Sequence, residues 1–434
     1  MSVPRYPKYK ASGVEWLGDV PEHWEIVPLK YSARLLTAKT ERREWPVALE
    51  NIESWTGRFI PTETDFEGEG VAFDVGDILF GKLRPYLAKA YRADRAGEAV
   101  GDFHVLRPNP GAHGRFIQYQ TLSREFVEIV NGSTFGSKMP RASWEFVGAM
   151  RLTRPPFREQ STIAAFLDRE TGKIDDLVAE QRRLVELLKE KRQAVISHAV
   201  TKGLNPSAPM KPSGIEWLGD LPAHWELMAI KHGCTMIKDG THLPPDRVDV
   251  GVPLLSVRNI VDDEFVRRDD DSMVSVVDYE GLCRAFVPRA GDVVMAIVGA
   301  TLGKVAVIGN ALGDFHVQRS LGVFRVRSDR LLGEYLASVF RSVPFQSKLW
   351  ELVGYSAQPG IYLGTLRDLR IPVPPRTEQQ AMVVELDRRC RSIDVLRGDA
   401  QRAIDLLQER RTALISAAVT GQIDVRGFAD SEAA

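Results

Sequence analysis

Two long stretches of the chain have the hydrophobic spacing of amphipathic helices. Residues 158–200 and 376–419 contain no proline and one glycine each, and strong helix formers dominate both. Apolar residues recur three, four or seven positions apart, a heptad-like stripe. The predicted helix-pairing positions are Ile174, Leu177, Leu184, Leu188 and Val195 in the first stretch and Ile393, Leu396, Ala403, Leu407 and Leu414 in the second. The pattern predicts two long helices that end near Gly203 and Gly421.

The remainder of each half has a different pattern. Residues 1–157 and 204–375 are rich in Gly, Pro and short apolar runs such as GDILF and VAVIG, typical of short strands and turns with a few helices. The predicted fold class is therefore α+β, with two globular domains and two long helices. The predicted segments are a first globular domain (1–157), a central long helix (158–203), a second globular domain (204–375), a C-terminal long helix (376–427) and a disordered tail (428–434).

The two halves are copies of one another. Residues 12–25 read SGVEWLGDVPEHWE and residues 213–226 read SGIEWLGDLPAHWE, identical at 11 of 14 positions. Gly-Asp-Phe-His-Val occurs at 101–105 and 313–317, and Pro-Pro followed by Glu-Gln begins both helical stretches. Residues 50–70 have no evident counterpart in residues 256–276. A shared frame that holds two unlike inserts indicates a tandem duplication with two related but different tasks.

A long amphipathic helix must cover its apolar stripe. Two near-copies in one chain can pack on each other antiparallel about a pseudo-twofold axis, which makes a coiled-coil-like spacer between the globular domains. Residues 174–200 would span ~40 Å at ~1.5 Å per residue. Alternatively, each helix packs on its own domain or forms an intermolecular coil. Lys191 and His198 interrupt the stripe, at the positions of Arg410 and Ala417, and charged seam positions can set register or contact a partner.

Catalytic motifs are absent from the sequence. Arg154-Pro155-Pro156-Phe157 is close to the turn of amino methyltransferases, but arginine cannot accept a hydrogen bond from the target amino group. The glycines of Gly299-Ala-Thr-Leu-Gly303-Lys304 are too close for a nucleotide-binding loop, which leaves a phosphate contact or a simple hairpin. Pairs of duplicated histidines favour packing or hydrogen-bonding roles, and three distant cysteines seed no metal site. The sequence therefore predicts a binder with no catalytic residues and no metal.

Two unlike inserts on a symmetric spacer suit two unlike DNA half-sites. The whole chain carries 57 basic and 58 acidic residues, so any nucleic-acid contact must come from local clusters. Arginine can read guanine and lysine can hold phosphate, while the alternative for each residue is a solvated surface charge. The candidate DNA-binding residues are Lys39, Arg42, Arg43, Lys82, Arg84, Tyr86, Lys138, Arg141, Lys238, Thr241, His242, Thr301, Lys304, Arg319, Lys348, Tyr355 and Gln358.

The chain resembles the specificity (HsdS) subunit of type I restriction–modification systems over essentially its whole length. The resemblance rests on the duplicated 14-residue motif, on GDILFGKLRPYLAK and GDVVMAIVGATLGKVAVI, on DGTHLPP, and on the PPFREQ and PPRTEQ lead-ins to helices that end in HAVTKG and AAVTGQ. It implies two target-recognition domains, each reading half of a bipartite, asymmetric double-stranded DNA site, and two antiparallel helices that set the spacer.

The resemblance also implies partners. Two modification (methyltransferase) subunits would dock on the helices, and restriction subunits, which are ATP-dependent translocases and endonucleases, would join for cleavage. These partners would hold S-adenosylmethionine, ATP and Mg²⁺, so no cofactor is expected in this chain. The sequence shows no signal peptide and no membrane-spanning run, which favours a cytoplasmic location.

Overall fold

A computed structural model describes residues 4–41, 44–62, 69–136, 138–242, 245–353 and 359–428. It divides into two compact units, a first unit of Met1–Arg182 with Ala400–Ala434 and a second unit of Arg183–Asp399. The division cuts through both long helices, which the predicted segments treat as separate pieces. Helices and sheets are both extensive, so the predicted α+β class is confirmed.

The first unit joins four small sheets to short helices. Its strands are β1 (Tyr9–Ala11), β2 (Asp19–Pro21), β3 (Glu25–Pro28), β4 (Ala33–Leu36), β5 (Lys39–Thr40), β6 (Pro46–Val47), β7 (Gly70–Phe73), β8 (Ile78–Gly81), β9 (Ala90–Arg92), β10 (Gly97–Val100), β11 (Phe103–Pro108) and β12 (Arg151–Arg154). Its helices are α1 (Leu29–Ser32), α2 (Gly114–Thr121), α3 (Arg124–Gly132), α4 (Trp144–Ala149) and the start of the first long helix, α5 (Phe157–Lys202).

The second unit repeats this plan. Its strands are β13 (Met210–Pro212), β14 (Asp220–Pro222), β15 (Glu226–Ala229), β16 (Cys234–Asp239), β17 (Val252–Leu255), β18 (Ile260–Val261), β19 (Glu264–Phe265), β20 (Met273–Val274), β21 (Val293–Ala296), β22 (Val305–Val307), β23 (His316–Val317), β24 (Leu321–Val326) and β25 (Arg370–Val373). Its helices are α6 (Ile230–Gly233), α7 (Val276–Cys283), α8 (Gly333–Arg341), α9 (Val343–Glu351), α10 (Leu363–Asp368) and the start of the second long helix, α11 (Arg376–Val419).

The central sheets of the two units have the same topology. The order is β4-β11-β8-β9 in the first unit and β16-β24-β21-β22 in the second, where β19 and β18 extend it. A smaller sheet contains one parallel pair in each unit, β10 with β6 and β23 with β17. Buried Val, Ile, Leu and Phe side chains from β8, β11, β21 and β24 fill the cores beneath these sheets. The duplication seen in the sequence is thus a duplication of the fold.

One sequence match between the copies is wrong. Phe103 begins β11 in the first central sheet, whereas Phe315 precedes β23 in the smaller sheet of the second unit. The true counterpart of β11 is β24, because Arg107 and Arg325 occupy the same position and make the same ion pairs, with Asp77 and Asp292. The repeated Gly-Asp-Phe-His-Val string lies on non-equivalent strands, since string identity over five residues does not specify strand pairing.

The two inserts, which have no evident match in sequence, do contain one equivalent turn. The Asn51 carboxamide accepts the Ala48 N–H at 2.9 Å and donates to the Ile60 carbonyl at 3.2 Å. Asn259 makes the same bonds with Ser256, at 2.9 Å, and Val266, at 2.9 Å. Residues 48–60 and 256–266 therefore form the same turn, and only the buried asparagine carries a signal for it in the sequence.

The repeated motifs anchor the start of each long helix. Glu159 accepts hydrogen bonds from Tyr6 at 2.6 Å and Trp24 at 3.1 Å and lies 2.8 Å from the His23 ring. In the second copy Glu378 lies 2.8 Å from the His224 ring and accepts a bond from Trp225 at 3.2 Å.

The histidines of the repeated Gly-Asp-Phe-His-Val string, which are not equivalent in the fold, both bond to backbone. The His104 and His316 rings lie 3.0 and 3.1 Å from the carbonyls of Ala142 and Phe286. The predicted hydrogen-bonding role of the duplicated histidines is confirmed.

Within each unit the two long helices run antiparallel. In the first unit, residues Ile163 and Leu167 share a cluster with Ile415 and Val419, while Asp175 bonds to Arg411 at 2.9 Å. In the second unit, Arg192 reaches Asp394 at 3.3 Å while residues 196–200 pack with residues 382–390. The second helix ends at Val419, before the predicted boundary at 427, because Gly421 takes a left-handed φ of 79°. Residues 429–434 of the predicted tail lie outside the described residues.

The seam between the helices differs from the predicted stripe. Ile174, Leu188 and Ile393 are buried, and Val195, Ala403, Leu407 and Leu414 are partly buried. Leu177, Leu184 and Leu396 are 46%, 41% and 51% exposed, so the prediction is wrong at these positions.

The seam instead includes Val178, Ala400 and Ile404. Its buried and partly buried positions recur at alternating spacings of four and three residues along each helix. Apolar residues at adjacent positions leave the phase of the stripe ambiguous, and two arginines, Arg192 and Arg411, occupy the seam where hydrophobicity gives no signal. The predicted interruptions, Lys191, His198 and Arg410, are exposed. Each of them lies one position before a buried or partly buried residue of its helix.

Candidate DNA interface

Two loops of the first unit run side by side and carry most of its candidate residues. The Arg84 N–H donates to the Pro140 carbonyl at 2.8 Å, and the Ala142 N–H donates to the Lys82 carbonyl at 2.9 Å. These bonds join the turn after β8 to the segment that precedes α4. We call the surface formed by Lys82, Arg84, Tyr86, Lys138 and Arg141 the basic face.

A partly buried ion pair connects residues of the basic face. Arg141 donates two N–H groups to the carboxylate of Asp102, at 3.0 and 2.8 Å, and the Lys82 ammonium lies 3.7 Å from it. The hydrogen bond from Arg141 lowers the pKa of Asp102 and raises the pKa of the Arg141 guanidinium. Two cations therefore share one anion, and the local charge is positive. The sequence analysis did not predict Asp102 as part of the site, since an acidic residue gives no signal of a DNA contact.

Arg84 has an unusual backbone. Its φ is 49°, in the left-handed region that favours glycine, and its side chain is exposed. Tyr86 follows on a short 3₁₀ turn and is 47% exposed. Phe135 and Met139, on the adjacent loop with exposed Lys138, are 64% and 48% exposed. The face thus combines charge with exposed flat and flexible apolar groups.

The second unit builds the same backbone frame with different side chains. The Gly299 N–H donates to the Pro359 carbonyl at 2.8 Å, and the Ile361 N–H donates to the Ile297 carbonyl at 3.0 Å. The bond from the Lys82 N–H to the Asp102 carbonyl, 2.9 Å, has its counterpart in Ile297 and Ser320, also 2.9 Å. The frame positions of the first unit and their counterparts are Lys82 with Ile297, Arg84 with Gly299, Asp102 with Ser320 and Arg141 with Gly360.

The glycine-rich segment forms a hairpin, and its contact with phosphate stays a prediction. Gly299 and Gly303 have φ of 92° and 89° and bracket the turn between β21 and β22. In the first unit, Arg84 and Ala88 bracket the corresponding turn, with φ of 49° and 47°. The shape of the turn demands left-handed residues, which the second copy supplies with glycine.

Further candidates of the second unit gather near this hairpin. Thr241 bridges to Gln318, next to exposed Arg319, and the Ile297 N–H reaches the adjoining Ser320 carbonyl at 2.9 Å. The segments around 238–242, 297–304 and 318–320 thus meet. These segments carry Lys238, Thr241, His242, Thr301, Lys304 and Arg319. Tyr362, beside the frame, is 86% exposed.

Several predicted residues have other partners or lie elsewhere. Lys39, on β5 in the smaller sheet, pairs with Glu69, and Lys348, on α9, lies 2.8 Å from Glu351. The Lys238 ammonium donates to the Ala285 carbonyl at 2.5 Å, and His242 lies 2.8 Å from Asp239. The candidates outside the described residues are Arg42, Arg43, Tyr355 and Gln358.

Sequence comparison connects this fold to proteins of known type. Residues 234–401 match the family model described as the type I restriction modification DNA specificity domain. The type I restriction enzyme MjaVIII specificity subunit of Methanocaldococcus jannaschii is 20% identical over 94% of this chain and 95% of its own length. The EcoKI specificity subunit of Escherichia coli K12 is 21% identical over 95% of this chain and 92% of its own length.

A solved structure shares the fold. A chain from work on the complex assembly and conformational transition of the type I R-M system superposes with a TM-score of 0.67, at 18% identity, over 92% of this chain and 98% of that chain. The matched domain, the curated relatives and the shared fold all support a type I restriction–modification specificity subunit. The prediction of a DNA-recognition subunit, rather than a catalytic enzyme, is confirmed. Such specificity subunits work with DNA and with other restriction–modification subunits.

None of the described helices is long and apolar enough to cross a membrane. The described residues contain no group of three or more His, Cys, Asp or Glu side chains placed to hold a metal ion.

Proposed function

We propose that each unit reads one half of a bipartite double-stranded DNA site, through the frame formed by residues 82–84 and 140–142 in the first unit and 297–299 and 359–361 in the second. The observation that carries this proposal is one backbone frame with exchanged side chains. A frame kept constant while its outward groups change is suited to reading different base sequences with the same approach to the groove.

The chemistry of the two frames differs in kind. In the first unit Arg84, Lys138 and Arg141 offer donors that match guanine edges and phosphate oxygens. In the second unit glycines replace two of these positions, and Thr241, Thr301 and Arg319 provide the nearby polar groups. The two half-sites therefore have different sequences, and the whole site is asymmetric.

The long helices carry the proposed docking surface for two modification subunits. Leu187 and Leu406 occupy equivalent positions on the two helices and are 51% and 65% exposed, and so do Leu177 and Leu396. An apolar position exposed in both copies matches one partner surface used twice. Restriction subunits would join this assembly for cleavage. S-adenosylmethionine, ATP and Mg²⁺ would lie in those partners, and the complex would work in the cytoplasm.

The nearly neutral chain supports a division of labour. Residues 1–150 hold 19 basic and 20 acidic side chains, and residues 209–370 hold 18 and 20. Because non-specific DNA affinity comes mainly from cations at phosphates, the chain alone should bind DNA weakly. Basic surface of the modification subunits would provide affinity, while the frames provide specificity.

A methylome of the host tests the proposal directly. Strains with and without the gene should differ in methylation at one bipartite motif, and replacing residues 30–150 with those of another such subunit should change one half-site only. A contiguous motif, or no difference between the strains, contradicts the proposal. A protein-interaction scaffold without a DNA role would show no salt-dependent DNA binding even with the modification subunit present.

A further inference from the structure

The seam between the long helices contains the same ion pair twice. In the first unit Arg411 donates to Asp175 at 2.9 Å, and in the second unit Arg192 donates to Asp394 at 3.3 Å. Each arginine and each aspartate is separated from its counterpart by 219 positions, so the two pairs are copies. The Arg411 side chain is 7% exposed and that of Arg192 is 17% exposed.

Each arginine also holds a turn of the globular part. Arg411 donates a second N–H to the Trp55 carbonyl at 2.8 Å, at a residue whose φ is 66°. Arg192 reaches the Asp263 carboxylate at 2.8 Å, at a residue whose φ is 68°. These residues lie at the tip of the same turn, which follows the paired asparagines Asn51 and Asn259.

The turns add further bonds to the helices, and they do so with different groups. In the first unit Arg58 lies 3.5 Å from Asp175, and Glu53 lies 3.8 Å from Arg182. In the second unit Asp262 lies 3.8 Å from Arg397. The inserts differ in sequence, yet both retain an acceptor for the seam arginine.

Asp263 also connects the turn to helix α8 in the second unit. Arg341, on α8, donates to the Asp263 carbonyl at 2.7 Å and places its Nε 3.4 Å from the carboxylate. The turn, both long helices and α8 thus meet at one partly buried network.

Burying charge in a helix seam costs stability compared with apolar packing. Polar seam residues are best known for fixing register and arrangement. Here the arginine bonds to the other helix and to the turn at once, so it fixes how the globular part sits on the helix pair. An apolar residue could pair the helices but could not orient the turn.

We propose that Arg411 and Arg192 are positioning residues for DNA recognition, each clamping the turn of its unit to both long helices. This inference rests on the proposed function.

The turns also contact the interface hairpins. The Trp55 N–H donates to the Ala88 carbonyl at 3.0 Å. Arg341, which holds Asp263, also donates to the Val305 carbonyl at 3.2 Å. The clamp thereby holds the DNA-interface frame of each unit in one orientation on the helices, and a fixed orientation permits one spacing between the half-sites. Loosening a clamp should therefore relax the accepted spacer length while leaving the bases read in each half-site unchanged.

The test is the methylome of a strain that carries variants in the full complex. Arg411→Met leaves Asp175 without its main partner, so the variant Asp175→Asn with Arg411→Met removes both charges and keeps the volume. The variant Asp394→Asn with Arg192→Met does the same in the second unit. Arg410→Met and Lys191→Met, exposed neighbours on the same helices, are the matched controls.

The wild type and both controls should methylate the bipartite motif at one spacer length. In the double variants, discrimination against spacers one base pair longer or shorter should fall by roughly tenfold, the size expected for loss of one coupled network. Arg411→Lys, which keeps the charge but loses the two-pronged donor, should lie between. Thermal unfolding of the purified complex checks that the double variants fold.

Two results overturn the clamp. One is a folded double variant that keeps a single spacer length, and the other is a folded, assembled variant that methylates no site. If the wild type itself yields no bipartite motif, the proposed function fails before any variant is compared. The two failures are therefore distinguishable.

Discussion

Replacement of Arg84 with glycine should have opposite effects on stability and on DNA recognition. A non-glycine residue in the left-handed region costs ~1–2 kcal/mol. Arg84 has this conformation at φ 49°, whereas its counterpart Gly299 has φ 92°. Glycine would relieve the strain but lose ~0.5–1 kcal/mol to its greater freedom in the unfolded chain. The net gain is at most ~1.5 kcal/mol, which corresponds to an increase of up to about 6 °C in the melting temperature of a unit this size.

DNA recognition should move the other way. A bidentate arginine contact discriminates against the wrong base by ~1–3 kcal/mol, or about 5- to 150-fold. The assay is binding of the assembled complex to duplexes in which each base pair of the first half-site is changed in turn. Arg84→Gly should erase discrimination at one guanine position and leave the other half-site unaffected. Arg151, which is exposed on β12, provides the control, because Arg151→Gly should leave discrimination at every base pair unchanged.

The reasoning would be refuted by either of two results. If Arg84→Gly lowers the melting temperature, the left-handed backbone is not a source of strain. If affinity falls equally for every duplex, Arg84 contacts phosphate or supports the loop instead of reading a base. A strained residue that proteins keep despite a ready glycine solution is expected to have a functional reason.

Three further outcomes follow from the structure. Glu159→Ala should cost ~2–4 kcal/mol, because buried Tyr6 and Trp24 donors lose their acceptor, whereas Glu378→Ala, at a more exposed site that lacks the tyrosine, should cost ~1–2 kcal/mol; calorimetry measures both. Burial lowers the pKa of His104, so below pH ~6.5 the unfolded chain binds more protons than the folded chain. The free energy of unfolding therefore decreases as the pH decreases. His104→Gln should therefore show a smaller drop in melting temperature between pH ~7.5 and ~5.5, and an unchanged slope would exclude His104 as the source. Deleting residues 400–434 should expose the first unit to proteolysis more than the second, because residues 415–428 contribute to a hydrophobic cluster of the first unit; equal protection of both units would contradict the division.

Much of the fold follows from local sequence. The two long helices begin where Pro-Pro pairs place them and lack internal proline, so their existence is set by propensity and spacing. The duplicated Pro-x-His-Trp and Glu-Gln motifs signalled a shared frame, and the structure shows why both must be kept: the glutamate is the acceptor for the histidine and tryptophan of its own copy. The duplication, the α+β class and the family follow from the residues alone.

Tertiary structure decided the details on which recognition depends. Leu177 and Val178 are both apolar, so only packing could choose the seam position, and it chose Val178. The identical Gly-Asp-Phe-His-Val strings lie on different strands because strand pairing depends on long-range register, which a five-residue string does not encode. The carboxylate of Asp102, the left-handed Arg84 and the buried arginines of the seam acquire meaning only from residues far away in the chain. Sequence alone determined the elements and their repetition, because these depend on local propensity and periodicity. The backbone frame of the DNA interface and the arginine clamps depend instead on contacts between distant segments.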